Sequence, residues 1–305
     1  MGNNDIPAFF RPEFENNFRH ATQQQVSRLN DYLTVRTGAS GNKYVWDILD
    51  ASEAHLETNN RLGRTIVDEV TGTRRTVTPE IVRKTSVLDK NDSIFLGTQS
   101  IATSDLLHVH KMAFARKEDG LIIGGAFGVN YGGMEGNTPL TLLESQKIPV
   151  NYTDSGTPVD CGITMDKLLT VREILESNEV LYDDEENSDP LILLISPAVK
   201  KQLLGLDKLT SADYAEVKAL VEGRVKKALG IRFVTTNKLP KDANGNTRCL
   251  AYVRSGLNFF PWAADDIRVD SLPERNYAIQ VYTEKMYGVC RSDELKFVEV
   301  VCKTK

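Results

Sequence analysis

The chain has 305 residues, 41% hydrophobic and 26% charged, which is the balance of a soluble globular protein with material for one large or two ordinary domains. Its 37 Lys and Arg against 42 Asp and Glu give a net charge of -5, opposing general nucleic-acid binding, because phosphate affinity comes from clustered cations. No apolar run approaches the ~20 residues a membrane helix needs, and MGNNDIPAFFRPEF at the N-terminus has neither signal-peptide order nor a myristoylation Ser/Thr.

Residues 1 to 42 read as an arm. Phe14, Phe18, Val26, Leu29 and Leu33 make a thin helical stripe that buries little alone and suits docking on another surface. Residues 43 to 90 read as an excursion. Tyr44, Trp46 and Ile48 alternate as a strand, and RTVTPEIVRKTSV from Arg75 is again β-branched, with Pro79 tolerable at an edge or bulge. Between them runs a polar connection from Glu53 to Arg74, holding Arg61, Arg64, Arg74 and Arg75 against Asp68 and Glu69. An isolated hairpin is marginal in water, so this element folds back or lies across a neighbour.

The centre of the chain is SIATSDLLHVHKMAFARKEDGLIIGGAFG, from Ser100. Ala102, Leu106, Val109 and Ala113 lay an apolar stripe along a helix, widened by Ile101, Met112 and Phe114. Gly120 after Asp119 predicts the helix stop, with a short buried strand over Leu121 to Ile123. Residues 120 to 136 hold seven of the 21 glycines, yet GGAFGVNYGG is neither GxGxxG nor GxxxxGK[ST]; turns and close backbone approach explain them better than a phosphate loop.

From 155 to 255 the pattern is α/β. Thr164 opens a helix through Leu168, Leu169, Ile174 and Leu175 that ends near Asn178. Leu191 to Ile195 is a continuous apolar strand, and Ser196-Pro197 caps a helix to about Leu204. A further helix starts at Thr210 or Ser211, and strands at Ile231 to Thr235 and Cys249 to Val253 flank the Asn244-Gly245 turn. The last 50 residues return to β structure: Tyr277, Ile279, Val281 and Thr283 alternate, and FVEVVC from Phe297 is apolar on both faces, to be packed on the long helix.

Chemistry is sparse. Cys161, Cys249, Cys290 and Cys302 form no CxxC pair, which argues against a zinc site or disulfide framework and fits a reducing cytoplasm. His108 and His110 point to different helix faces, and Asp183 to Glu186 is a solvated acidic run without calcium-loop spacing. No GxSxG or HExxH occurs. No catalytic residue, cofactor or metal is expected, and a structural role leads over a soluble α/β enzyme with scattered active-site residues.

The order of parts resembles the Hong Kong 97-type major capsid protein of tailed bacteriophages. FARKEDGLIIGGAFG, LTVREIL, LILLISPAVKKQLL with LTSADY, KALGIRFVTTNKLP and LPERNYAIQVYTEKMYGVCR carry the likeness, the last being similar to a podovirus-like coat-protein family. The resemblance implies an α+β fold with an N-arm at 1–42 and an extended E-loop hairpin at 43–90. A peripheral domain with the spine helix follows at 91–154 and 256–305, and an α/β axial domain at 155–255. It implies self-assembly into pentamers and hexamers of an icosahedral head enclosing double-stranded DNA, in a virion assembled in the host bacterial cytoplasm. Arg61, Arg64, Arg74 and Arg75, with Phe14 and Phe18, become candidate inter-subunit contacts. A separate scaffolding protein and a portal are implied partners, favoured by Met1 and the lack of a long fused extension. Packaged DNA would be touched only weakly and without sequence preference, and no membrane partner is expected. Lys43, Lys84 and Lys90 sit near the base of the loop, so no Lys–Asn cross-link is expected. The competing shell reading is an encapsulin-type nanocompartment.

Overall fold

The computed structural model describes residues 23–49, 52, 54, 67, 69–89, 91, 103–133, 135–154, 157–181, 189–206 and 227–304. In chain order the elements are β1 (Thr34–Val35), β2 (Tyr44–Leu49), β3 (Gly72–Val77), β4 (Glu80–Leu88), α1 (Thr103–Phe127), β5 (Asn130–Gly132), β6 (Thr138–Leu140) and β7 (Lys147–Ile148). There follow α2 (Met165–Ser177), β8 (Leu191–Ile195), α3 (Pro197–Leu204), β9 (Lys227–Ala228), β10 (Ile231–Thr235), β11 (Thr247–Val253), β12 (Leu257–Pro261), β13 (Asp266–Leu272), β14 (Ala278–Arg291) and β15 (Phe297–Cys302). The chain divides into two compact units. The smaller takes Met1–Val26, Ile81–Lys117 and Ala264–Lys285, and the larger takes the remaining three segments.

The larger unit holds a six-stranded sheet in the order β7-β15-β11-β8-β10-β9. β8 is buried at all five positions, as its unbroken apolar run requires, and pairs parallel with β10 and antiparallel with β11. The helices beside it start where the side chains dictate. Thr164 accepts from Lys167 N to cap α2, and Ser196 accepts from Val199 N to cap α3, with Pro197 in the first turn. β15 lies between β7 and β11 with α2 packed on it, so the helical neighbour of the closing strand is α2, where the sequence pointed to the long helix. Asn246 and Asn244 donate main-chain N–H groups to the Asp242 carboxylate at 2.8 and 2.9 Å, and Gly245 takes a φ of +82° to close the turn.

A second sheet of this unit, β2-β3-β5-β6, is the root of the excursion. β2 and β3 pair antiparallel from Tyr44 opposite Val77 to Leu49 opposite Gly72. Arg74 and Arg75 are therefore strand residues and not part of the polar connection. Thr78 and Pro79 separate β3 from β4, which is where a proline without a donor N–H belongs.

α1 overturns one expectation. It runs through Gly120 to Phe127 as a single 25-residue helix, where the sequence suggested a stop and a strand. Ile122, Ile123 and Ala126 are buried on it, and that burial exceeds the roughly 1 kcal/mol a mid-helix glycine costs. Gly125 has a packing reason: a Cβ there would stand 2.6 Å from Val289 Cγ1 of β14. The buried face also differs from the forecast stripe. Leu106, Val109 and Ala113 are half-buried, whereas His110, Met112, Phe114, Ala115 and Asp119 are buried; Ala102 lies outside the described residues. The arm changes too. In place of a helix its described part forms a short 3-10 turn at Asn30–Tyr32 followed by β1, with Leu29 and Leu33 buried and Val26 exposed. The forecast helix from Thr210 lies outside the described residues.

In the smaller unit β13 pairs antiparallel with β14 from Asp266 opposite Glu284 to Leu272 opposite Ala278. Asn276 and Tyr277 adopt φ of 51° and 58° at the turn joining them. β4 pairs with the other strand of this hairpin, β14.

Candidate assembly interface

The base of the excursion is fixed by an aromatic cluster and a buried ion cluster, both in the larger unit. Tyr44 and Trp46 share one face of β2, as their spacing predicts, and meet Phe260 at ring-centroid distances of 5.3 Å each. Trp262 lies edge-on to Tyr44 and donates its indole N–H to the Gly41 carbonyl at 2.8 Å. The opposite face of the hairpin turns outward, leaving Val45 44% and Leu49 76% exposed.

Arg75, on the inward face of β3, reaches Glu294 by two parallel bonds of 2.9 and 2.6 Å. Arg291 stands 3.6 Å from the same carboxylate and is fully buried. Its guanidinium donates to the carbonyls of Ala126 at 2.9 Å, Gly128 at 2.6 Å and Leu140 at 2.7 Å. One side chain thus serves the C-terminal end of α1, where carbonyls lack helical partners and the dipole is negative, and also the β6 strand. Asn130 completes the arrangement by donating to Gly125 O and accepting from Arg291 N. Burial pulls the Arg291 guanidinium below its ordinary range, opposed by the Glu294 charge. The neighbouring Cys290 thiol is pushed up to about 12 by burial.

Of the arginines expected at a subunit contact, Arg74 pairs across the hairpin with Asp47 at 2.6 Å, on the solvent side. Its hydrogen bond holds the Asp47 carboxyl below the usual range. Arg75 is enclosed by its own chain with Glu294. Arg61, Arg64, Phe14 and Phe18 lie outside the described residues. The roles of Glu294 and Arg291 leave no local pattern to read, because they stand 219 and 216 positions away from Arg75.

Two other buried polar groups stand out. In the larger unit the Lys167 ammonium donates to four carbonyls, those of Val150, Cys161, Gly162 and Val301, at 2.9 to 3.3 Å. In the smaller unit His110 sits between Ser86 Oγ at 2.8 Å and Thr283 Oγ1 at 3.0 Å, beside a cleft of about 490 Å³ floored by Leu107, Phe114 and Ile267. Among the described residues no three metal-ligating side chains come together, and no helix is long and apolar enough to cross a membrane. These arrangements hold strands, a helix end and an arm in place; none presents a nucleophile in a formed catalytic setting.

A sequence profile of the phage capsid protein family matches residues 6–304. The chain belongs to that family. A comparison with curated protein sequences finds no match. Among solved structures, the capsid of cyanophage P-SCSP1u is similar with a TM-score of 0.72 and 16% identity, over 97% of this chain and 94% of the other. The capsid of Ralstonia phage GP4 is similar with a TM-score of 0.70 and 11% identity, over 100% and 98% of the two chains. The capsid of the native GTA particle gives 0.66 and 12%, over 98% and 97%. At such identities the likeness is one of fold. The fold is the Hong Kong 97-type, and this phage capsid protein is a structural protein, the major subunit of a head shell.

Proposed function

We propose that the chain assembles with copies of itself into pentameric and hexameric rings that close an icosahedral head around phage double-stranded DNA. The observation that carries this reading is the family match from residue 6 to residue 304, which leaves no room for an unrelated functional domain within the matched span. In this reading residues 1–42 are the N-arm and 43–90 the extended loop. Residues 91–154 with 256–305 form the peripheral domain, and 155–255 the axial domain. The extended loop lies over an adjacent subunit, with Arg61 and Arg64 toward it and Arg74 held ready on the outward face by Asp47. Phe14 and Phe18 dock the arm on a neighbour.

What supports the loop's role is the asymmetry of its base: one face anchored through Tyr44, Trp46 and Arg75, the other offering Val45 and Leu49 to solvent. A shell contact of more than ~2,000 Å² per subunit pair suits such an edge. Assembly takes place in the host cytoplasm on a separate scaffolding protein, with a portal at one vertex, and uses neither a cofactor nor catalysis. Lys43, Lys84 and Lys90 stay uncross-linked.

Negative-stain electron microscopy of the purified chain, alone and co-expressed with its neighbouring gene products, tests the reading. Closed shells or capsomer rings are expected. A monomer or dimer that stays small under both conditions overturns it.

A further inference from the structure

An edge strand presents N–H and C=O groups with no ladder to join, which makes it a template for another chain. Among the described residues β13 is such a strand: it pairs with β14 alone and stands last in its sheet. Its residues oppose those of β14 one to one, without a bulge, and none has a positive φ. The sequence DIRVDSL also lacks the Pro, Gly and Lys that commonly close an edge to other chains. Every position from Ile267 to Ser271 is exposed.

The side chains alternate by kind. Ile267 and Val269, 53% and 50% exposed, share one face with Ser271. On that face Val281 of β14, opposite Val269, is buried, and Ile279 is again exposed. The apolar strip thus reaches the free edge of the sheet. The other face carries Asp266, Arg268 and Asp270. Arg268 holds Asp266 at 2.8 Å, whereas Asp270 has no ion-pair partner among the described residues.

A second copy of the strand answers both faces. Laid antiparallel on itself about Val269, the strand sets Val269 opposite Val269, Arg268 opposite Asp270 and Ile267 opposite Ser271. A two-fold contact makes each unlike pair twice, so both Asp270 carboxylates gain a guanidinium. Other registers are penalised. A slip that centres the pair on Arg268 or on Asp270 puts like charges opposite each other, and a one-residue slip puts the two apolar strips on opposite faces.

We propose that β13 pairs antiparallel with β13 of a second copy, joining two sheets across a two-fold axis. The inference rests on the head-shell reading and gives the contact a place in it. Contacts within a pentameric or hexameric ring run head to tail, so an isologous pair ties one ring to the next. Seven paired residues supply about six to eight main-chain hydrogen bonds. Such a contact is small and weak alone, and holds by repetition over a closed shell.

Cysteine pairing in assembled shells tests it. In Val269→Cys the two thiols face each other at a Cα separation of about 4.5–5.5 Å, within disulfide reach. Oxidised glutathione should convert these subunits to linked dimers on a non-reducing gel, while wild-type subunits stay single. Ile267→Cys alone should not link, its thiols lying about 14 Å apart along the strands, whereas Ile267→Cys with Ser271→Cys should. Arg268→Asp or Asp270→Arg alone should leave rings but lose closed shells, and the two together should recover them. Closed shells in which residue 269 stays reduced overturn the strand pair and leave the head-shell reading standing. Protection of the β13 amides from hydrogen exchange in those shells would assign the edge to another partner. A link through Ile267→Cys alone overturns the register and the pairing with it. Linked dimers that never form shells keep the strand pair and overturn the head-shell reading. If Val269→Cys shifts the melting transition, the Ile267→Cys, Ser271→Cys variant decides in its place.

Discussion

Arg291 donates to the carbonyl of Gly128 at 2.6 Å, so a strand residue caps the end of the longest helix. It also reaches Ala126 O through Nη1 and Leu140 O through Nη2, and Glu294 balances the charge. Buried ion clusters are costly to leave half-made: removing one partner strands the other and costs about 3–5 kcal/mol. Arg291→Met should therefore destabilise the subunit by at least that amount in urea unfolding, more than Arg74→Met, whose exposed pair contributes little. Arg75→Met paired with Glu294→Leu should cost less than the sum of the two single changes, measured as a double-mutant cycle.

Gly125 makes a second, purely steric prediction. Any side chain there meets Val289, because the ideal Cβ lies 2.6 and 2.7 Å from two of its carbons. Gly125→Ala gains helix propensity of ~1 kcal/mol but overpacks the helix–strand contact, typically by 1–3 kcal/mol. The net expectation is a lower melting temperature for Gly125→Ala, restored in large part by adding Val289→Ala. Stabilisation by the single change would mean that α1 and β14 can separate without cost.

That glycine also explains what the sequence showed and what it hid. Local signals were legible wherever they were local in cause: Thr164 and Ser196 as caps, Leu191 to Ile195 as a doubly buried strand, Tyr44 and Trp46 on one strand face. The stop placed at Gly120 failed because the propensity of one residue was outweighed by packing of Ile122, Ile123 and Ala126 beyond it. The same holds for Arg75. Its charge suggested an outward contact, but its partner lies 219 residues on, and no spacing rule connects them.

His110 gives a pH prediction for the smaller unit. Burial, with Lys84 adding to it, pushes the imidazole below its ordinary value of 6.5. The charged and titratable groups around it are Lys84 on β4, His108 and Lys111 on α1, and Asp265 with Lys285, an ion pair beside the cleft. A histidine whose folded value is depressed binds a proton more readily once unfolded. Stability from this site is thus full above pH 6.5 and is lost as the pH falls from there toward the depressed value. Melting temperatures measured from pH 7.5 to 5 should decline for the wild type, and His110→Gln should flatten that decline. An equal slope in both would remove His110 as its source.

Lys167 carries the strictest demand on the larger unit. Its ammonium is completely buried, and the four carbonyls it serves belong to the loop after β7, the approach to α2 and the last strand. No carboxylate is needed, because four carbonyl dipoles converge where a hydration shell would otherwise be. Lys167→Met keeps an unbranched apolar stem but leaves carbonyls without donors, each worth about 1–3 kcal/mol if no water enters. The expected loss is about 3 kcal/mol or more in urea unfolding. Lys167→Arg should be damaging as well, since a planar fork cannot direct its donors to acceptors on four sides. Hydrogen exchange localises the effect: protection of Val300 to Cys302 should fall before that of Leu191 to Ile195, because Val301 is tied to the cage and β8 is not. If both strands lose protection together, the cage supports the whole sheet and not its closing strand alone.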